Sequence, residues 1–236
     1  MPEGEVFFTM SMYPETTCLM CDLPWKNNRV CYDGKLALNP KPRHLAWGET
    51  ELTLQKDGII VIGDHGIITG YHANDTTVAL DALHRLLFFA SENRMIAFDL
   101  QEQTPQFFVE TQGTAGAPLL FEWLLPDGEI CEALGFCDGN EHYFAVDRVT
   151  GQPLWVADIL GTPCDAAAHM SGYLHLVLDD DPYQVMCLEA DSGDVVWWNR
   201  ATGRALGGVI CNGCYCVKEE SGDWQRFRLI DGEKLA

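Results

Sequence analysis

The sequence predicts an all-β chain: a small, irregular array of five or six antiparallel hairpin units. Three observations carry that expectation. The decapeptide "VDRVTGQPLW" (146–155) returns 42 residues later as "LEADSGDVVW" (188–197), each with an acid second, Gly sixth and Trp last. Weaker copies of the same frame run upstream and downstream at spacings of 28 to 48 residues, and a period near 40 residues is the mark of stacked or radial β-sheets. A second hairpin signal, rich in Asp, Gly and Asn, precedes each copy.

Each decapeptide reads as a strand end, a tight turn and a strand start. Thr150-Gly151 and Ser192-Gly193 are turn dipeptides, since Gly adopts positive φ at no steric cost. Strand-prone runs flank them, "HYFAV" and "PLWVADI" around the first, "YQVMCL" and "VVWW" around the second. Upstream, "FDLQEQTPQF" (98–107) keeps the acid as Asp99 and ends in Phe107. "LNPKPRHLAW" (38–47) keeps the frame and ends in Trp47, "GYHANDTTVA" (70–79) keeps the frame alone, and "LIDGEKLA" (229–236) is a shortened last copy. Anchored on the second position, the copies sit at 39, 71, 99, 147, 189 and about 230.

The preceding tips are "YDGK" (32–35), "GDHG" (63–66), "SENR" (91–94), "DGNE" (138–141), "DDDP" (179–182) and "ESGD" (220–223). The unit is therefore strand, tip, strand, "TG" turn, strand. One large ring recurs after the turn in Trp47, Phe107, Trp155 and Trp197, as packing between neighbouring sheets requires. Trp155 and Trp197 are expected in the core.

"AVDRVTGQPLWVADI" and "CLEADSGDVVWWNRA" resemble the quinoprotein-type (PQQ-like) β-propeller repeat, whose core is A-x-D-x-x-T-G-x-x-x-W. The resemblance is good over residues 130–200. It implies a β-propeller-like array in which the Trp packs between neighbouring blades. The short second and third spacings leave little room for four strands per blade, so a β-sandwich or stacked meanders remain the alternative folds. A single repeat domain over 1–236 is expected, with a divergent part at 1–57 and clearer repeats over 58–236.

Charge bounds the function. Fifteen basic against 35 acidic residues give a net charge of −20, which disfavours nucleic acid and anionic membranes and attracts a basic partner. No run of 18 apolar residues occurs, and the start, "MPEGEVFFTMSMYPETTC", has no basic n-region; a cytoplasmic protein with reduced thiols is expected. No P-loop, G-x-S-x-G or dinucleotide fingerprint is present. Quinoprotein enzymes are longer and carry a metal and cofactor constellation, so the resemblance transfers fold rather than catalysis; no enzyme activity and no cofactor are expected.

Two site readings remain. In the first, acidic tips gather on one rim that docks a basic protein through Asp138, Glu141, Asp179, Asp180, Asp181, Glu219 and Glu220, with Asp33, Asp64, Glu92 and Asp223 alongside. The most specific version is a likeness in composition to bacterial immunity proteins that neutralise a basic toxin such as a nuclease; the milder version is an assembly scaffold. In the second, Cys18/Cys21 in "CLMC" and Cys211/Cys214 in "CNGCYC" form a thiolate zinc site or a redox pair. "VICNGCYCV" also reads as an ordinary hairpin with Asn212-Gly213 at its tip and the cysteines as apolar fillers. No metal is assigned.

Overall fold

The computed structural model describes residues 31–32, 35–36, 44–47, 50–159, 161, 163, 167–179, 183–211 and 213–235. Among them every regular element is a strand. A minimal pair, β1 (Cys31–Tyr32) and β2 (Lys35–Leu36), precedes five four-stranded antiparallel sheets. Sheet I holds β3 (His44–Trp47), β4 (Thr50–Leu54), β5 (Ile59–Ile62) and β6 (His65–Ile68). Sheet II holds β7 (Ala79–Asp81), β8 (Leu86–Ser91), β9 (Arg94–Asp99) and β10 (Thr104–Glu110). Sheet III holds β11 (Leu119–Leu124), β12 (Ile130–Cys137), β13 (His142–Asp147) and β14 (Pro153–Asp158). Sheet IV holds β15 (Ala168–Met170), β16 (Tyr173–Leu178), β17 (Gln184–Glu189) and β18 (Val195–Arg200). Sheet V holds β19 (Ala205–Cys211), β20 (Cys214–Glu219), β21 (Trp224–Arg228) and β22 (Lys234–Leu235).

Strands pair in chain order within each sheet. The turns between first and second and between third and fourth strands therefore share one end. The turns between second and third strands share the other end with the linkers to the next sheet. Central strands are covered on both faces and read as continuous apolar runs; β8, "LLFFAS", is buried throughout. Fourth strands alternate toward solvent: in β18, Trp197 is buried while Trp198 is exposed.

Among the described residues four apolar clusters join the five sheets. Leu52, Ile60, Leu87 and Phe98 join I to II, and Phe88, Met95, Leu134 and Phe136 join II to III. Phe121, Tyr143, Leu176 and Met186 join III to IV, and Val177, Cys187, Tyr215 and Phe227 join IV to V. Among the described residues no cluster joins V to I, so the array is open. Each buried face needs an opposing sheet, which is why no hairpin here could stand alone.

The all-β, propeller-like expectation holds, with corrections of detail. Each unit has four strands, and in sheets II and IV the first is brief, three residues in β7 and β15; short strands of this kind lack the alternation that marks a strand in sequence. The decapeptides at 99, 147, 189 and about 230 are equivalent turns between third and fourth strands. Residues 70–79 are instead the linker into β7, and Trp47 lies in the first strand of sheet I. The tip at 63–66 joins third and fourth strands, so Asp64 sits at the opposite end from the other tips, and Lys56-Asp57-Gly58 takes its place. The boundary set at residue 57 falls in the turn between β4 and β5.

Candidate protein interface

The repeated decapeptide builds a seat. Asp147 Oδ1 accepts from the Val149 and Thr150 amides, at 3.1 and 2.7 Å, and from the Thr150 hydroxyl at 2.7 Å. Burial raises the Asp147 pKa, but Thr150, the Val149 amide and the Arg148 charge outweigh it and hold the carboxyl below its ordinary range. The turn thus tightened places Gly151 at φ 72°. The face of Gly151 receives the Phe107 ring of the preceding sheet; a methyl group there would lie 2.5 Å from Phe107 Cδ2. Gly193 seats Trp155 and Gly232 seats Trp197 in the same way, at 2.5 and 2.4 Å for such a methyl.

Two seats are locked by a hydrogen bond. Trp155 Nε1 donates to the Ala190 carbonyl at 2.9 Å, and Trp197 Nε1 to the Leu229 carbonyl at 2.8 Å. Trp197 is buried, as expected, and Trp155 is half-buried. The sequence showed the rings and the glycines but not that each ring rests on the glycine of the next unit.

A second arrangement at the II–III junction was not expected from sequence. Arg148, only 12% exposed in its side chain, lies with Nε 2.9 Å from Asp81 Oδ2 and also pairs with Glu132. Asp81 accepts from the Leu83 and His84 amides and pairs with His84 Nδ1 at 2.7 Å. The signal was present in "DALH" (81–84), because Asp three residues before His can bond both its amide and its ring across a turn. "DGNEH" (138–142) does the same at the other end of sheet III.

Two of the expected docking residues are buried. Asp138 is 0% exposed: Oδ1 accepts from the Asn140 and His142 amides, and Oδ2 lies 3.0 Å from His142 Nδ1. Glu219 is 5% exposed and accepts from the Gly203 amide at 2.6 Å. Asp138 caps its own turn and Glu219 braces the linker between β18 and β19, and both are buried. Asp179 is at the tip but is held by the Arg204 guanidinium through bonds of 2.9 to 3.1 Å. Glu92, Glu141, Glu220 and Asp223 are exposed at tips. Asp180 and Asp181 lie outside the described residues, as do Cys18, Cys21 and Asp33. The opposite end also carries exposed acids, Asp64, Asp127, Asp191 and Asp231, so negative charge is not confined to one rim.

Cys211 and Cys214 face each other in register across the β19–β20 hairpin. Among the described residues no group of three or more His, Cys, Asp or Glu could hold a metal. Burial, then the Glu189 charge, push the Cys187 thiol up to about 12, which leaves it an unreactive apolar filler. His175 sits 5.8 Å from the Trp197 ring and 5.3 Å from the Tyr215 ring. Burial lowers its pKa to about 4, against a raising influence of the Leu229 backbone and with a smaller lowering influence from His169. His169, beside Phe121, is likewise lowered to about 4 by burial.

Ring-on-glycine seats between consecutive four-stranded sheets define a small, open β-propeller-like array. A family model described as "Outer membrane protein assembly factor BamB" matches residues 140–235, the stretch holding the two clearest decapeptides. No curated protein matches the chain. Among solved structures, BamB from Moraxella catarrhalis is similar at a TM-score of 0.61 and 12% identity, over 84% of this chain and 64% of that one. The computationally designed Ika8 protein gives 0.59 at 9% identity, over 81% and 59%. The quinohemoprotein alcohol dehydrogenase ADHIIG from Pseudomonas putida HK5 gives 0.58 at 12% identity, over 82% and 41%. The chain thus spans about three-fifths of the length of the first two, at 59% and 64%. Identities this low carry the fold and nothing finer.

Proposed function

We propose that this chain is a non-catalytic protein-binding module whose exposed acidic turns dock a basic protein. The observation that carries the reading is the charge itself: a net −20 displayed on exposed turn residues such as Glu92, Glu141, Glu220 and Asp223. The turn capped by Asp138 presents Glu141 on a hydrogen-bonded backbone, which lowers the ordering cost of association. The most specific form is a cytoplasmic immunity protein covering the phosphate-binding Lys and Arg of a toxin such as a nuclease. The tip residues Glu141, Asp179, Asp180, Asp181 and Glu220 remain the docking set, with Asp179 engaged only if Arg204 lets it go.

The test is capture of a basic protein from the source cell, followed by association rates for wild type and for Glu92→Gln/Glu141→Gln/Glu220→Gln at low and high salt. Wild-type association is expected to fall steeply with salt and the triple variant to start slower. Equal rates at low salt would remove the tips as the docking site.

A second reading, an assembly scaffold, rests on the match of residues 140–235 to a family described as an outer membrane protein assembly factor. Capture of several proteins together rather than one basic partner would favour it. A zinc or redox role for the cysteine pairs is the third; stoichiometric zinc in purified protein would support it.

A further inference from the structure

The two ends of the array differ in what their turns expose. The second-to-third turns expose Glu92, Glu141, Glu220 and Asp223, and among the described residues no large hydrophobic side chain is exposed in those turns. At the opposite end, the first-to-second turns of sheets II, III and IV expose Leu83, Leu124, Ile130, Met170 and Tyr173. Exposed apolar groups gathered at one place mark an interaction surface, whereas single ones do not.

These five are gathered. Leu124 stands opposite Ile130 and Met170 opposite Tyr173 in register, each the last pair before its turn. Sheets II and III meet at this end, where His84 Nε2, next in sequence to Leu83, lies 3.8 Å from Glu132 Oε2, two residues past Ile130. Sheets III and IV meet along their first strands, where the Phe121 and His169 rings are 5.7 Å apart. Leu124 follows Phe121 by three residues and Met170 follows His169 by one, both toward the turns. The turns are held in place: the Leu125 amide donates to the Glu129 carbonyl at 2.8 Å, and Asp81 accepts from the Leu83 and His84 amides. A surface formed in advance binds at a low ordering cost.

Charge selects the occupant. Asp127 and Glu129 are exposed inside the turn of sheet III, Glu189 is exposed directly across the ladder from Tyr173, and Asp191 is exposed in the neighbouring turn. Arg85 is the one Lys or Arg in the three first-to-second turns. A second copy would bring acids against acids, and an anionic membrane would be repelled. A segment with apolar side chains to cover the leucines and with Lys or Arg to meet the acids satisfies both halves of the surface.

We propose that the first-to-second turns of sheets II, III and IV dock a basic amphipathic segment of another protein. Its apolar side chains cover Leu83, Leu124, Ile130, Met170 and Tyr173, and its Lys or Arg meet Asp127, Glu129 and Glu189. This goes beyond the acidic tips, because it uses the opposite end of the array and an apolar contact that charge alone does not supply.

The test titrates the full chain into a labelled amphipathic peptide of Leu and Lys, about 15 residues long, at about 0.15 M salt. A peptide with Glu in place of Lys is the comparison. The Lys peptide is expected to bind and the Glu peptide to stay free. Leu124→Ser/Met170→Ser should raise the dissociation constant about tenfold or more, and Asp127→Asn/Glu129→Gln should raise it by a smaller factor. Ile68→Ser, at an exposed apolar residue of the other end, should leave it unchanged. No binding of the Lys peptide, equal binding of the two peptides, or a wild-type constant for Leu124→Ser/Met170→Ser would overturn the proposal. So would a loss found only with Glu92→Gln/Glu141→Gln/Glu220→Gln, which would leave the acidic tips standing as the docking site. Binding to neutral phosphatidylcholine vesicles instead of the peptide, abolished by Leu124→Ser/Met170→Ser, would assign the surface to lipid; dimers abolished by the same variant would assign it to a second copy. Should that variant melt early, wild type decides: on adding the Lys peptide, the methyl resonances of Leu124, Ile130 and Met170 must shift and those of Ile68 must not.

Discussion

Sheets II and III make the same turn between third and fourth strands, yet one uses Gln and the other Gly. Gln103 stands at φ 57° where Gly151, Gly193 and Gly232 stand at 72°, 77° and 69°. The left-handed backbone is common to all four, so conformation alone does not select glycine. What differs is the neighbour. Sheet I offers no Phe, Trp or Tyr in β6 ("HGII"), and its junction with II is an aliphatic cluster around Leu52, Ile60 and Leu87. Phe107, Trp155 and Trp197 each press on the turn that follows, and there the Cα must be bare. Glycine is kept where a ring needs a seat, and a side chain returns where none does.

The largest way to break the contrast is to remove a ring. Trp197→Ala should destabilise by about 3–5 kcal/mol, the usual cost of emptying a large aromatic site with its hydrogen bond. Trp155→Ala should cost less, because that ring is only half-buried. Urea titrations of the two variants check both statements.

Adding a methyl group to the seat is the converse. Gly193→Ala meets Trp155 at 2.5 Å and takes a strained φ of 77°, for a loss of about 3 kcal/mol. Gln103→Ala, at the matching turn, should change stability by less than about 0.5 kcal/mol. Equal losses at the two positions would mean that the Trp155 ring places no demand on Gly193.

Acid should separate the same regions. His175 has a pKa of about 4 in the fold against about 6.5 in an unfolded chain. Its contribution is complete above pH 6.5 and is lost as pH falls toward 4, because the unfolded chain takes up the proton first. At pH 5 the loss from His175 alone is about 2 kcal/mol. It should fall on the IV–V junction, where His175 contacts Trp197 and Tyr215. Hydrogen exchange at pH 7 and pH 5 should show amides of sheets IV and V losing protection before those of I and II. His175→Phe should shrink the difference, and only its combination with His169→Phe should abolish it.

The smallest effects distinguish capped from free acids at one tip. Asp138→Ala leaves two amides without an acceptor and should cost about 1–3 kcal/mol. Glu141→Gln, three residues on and exposed, should cost less than about 0.5 kcal/mol.

Much of the fold was legible because Asp, Gly and Trp recur at fixed offsets, and those offsets are local. The three-residue strands β7 and β15 were not, since too few residues are present to show a period. The seats were half legible: ring and glycine were visible, but the contact joins Trp155 to Gly193 across 38 positions and depends on how two sheets stack. The acidic tips misled for a physical reason. Asp is favoured in turns because its carboxylate caps backbone amides, and the capping that places Asp138 in the turn also buries it. Exposed Glu141 and buried Asp138 look alike in sequence.

The seats also have a direction. Each ring is made before its glycine: Phe107 precedes Gly151, Trp155 precedes Gly193 and Trp197 precedes Gly232. A ribosome releases the chain in that order, so every sheet from II to IV emerges with its outermost aromatic still waiting. The nascent protein therefore always shows one unsatisfied ring at its growing end, which is covered only when the following turn has cleared the exit tunnel. A pause in synthesis inside residues 156–193 would prolong the exposure of Trp155, and one inside 198–232 that of Trp197. Codon choice across these two windows is thus a lever on misassembly that leaves the finished molecule unchanged.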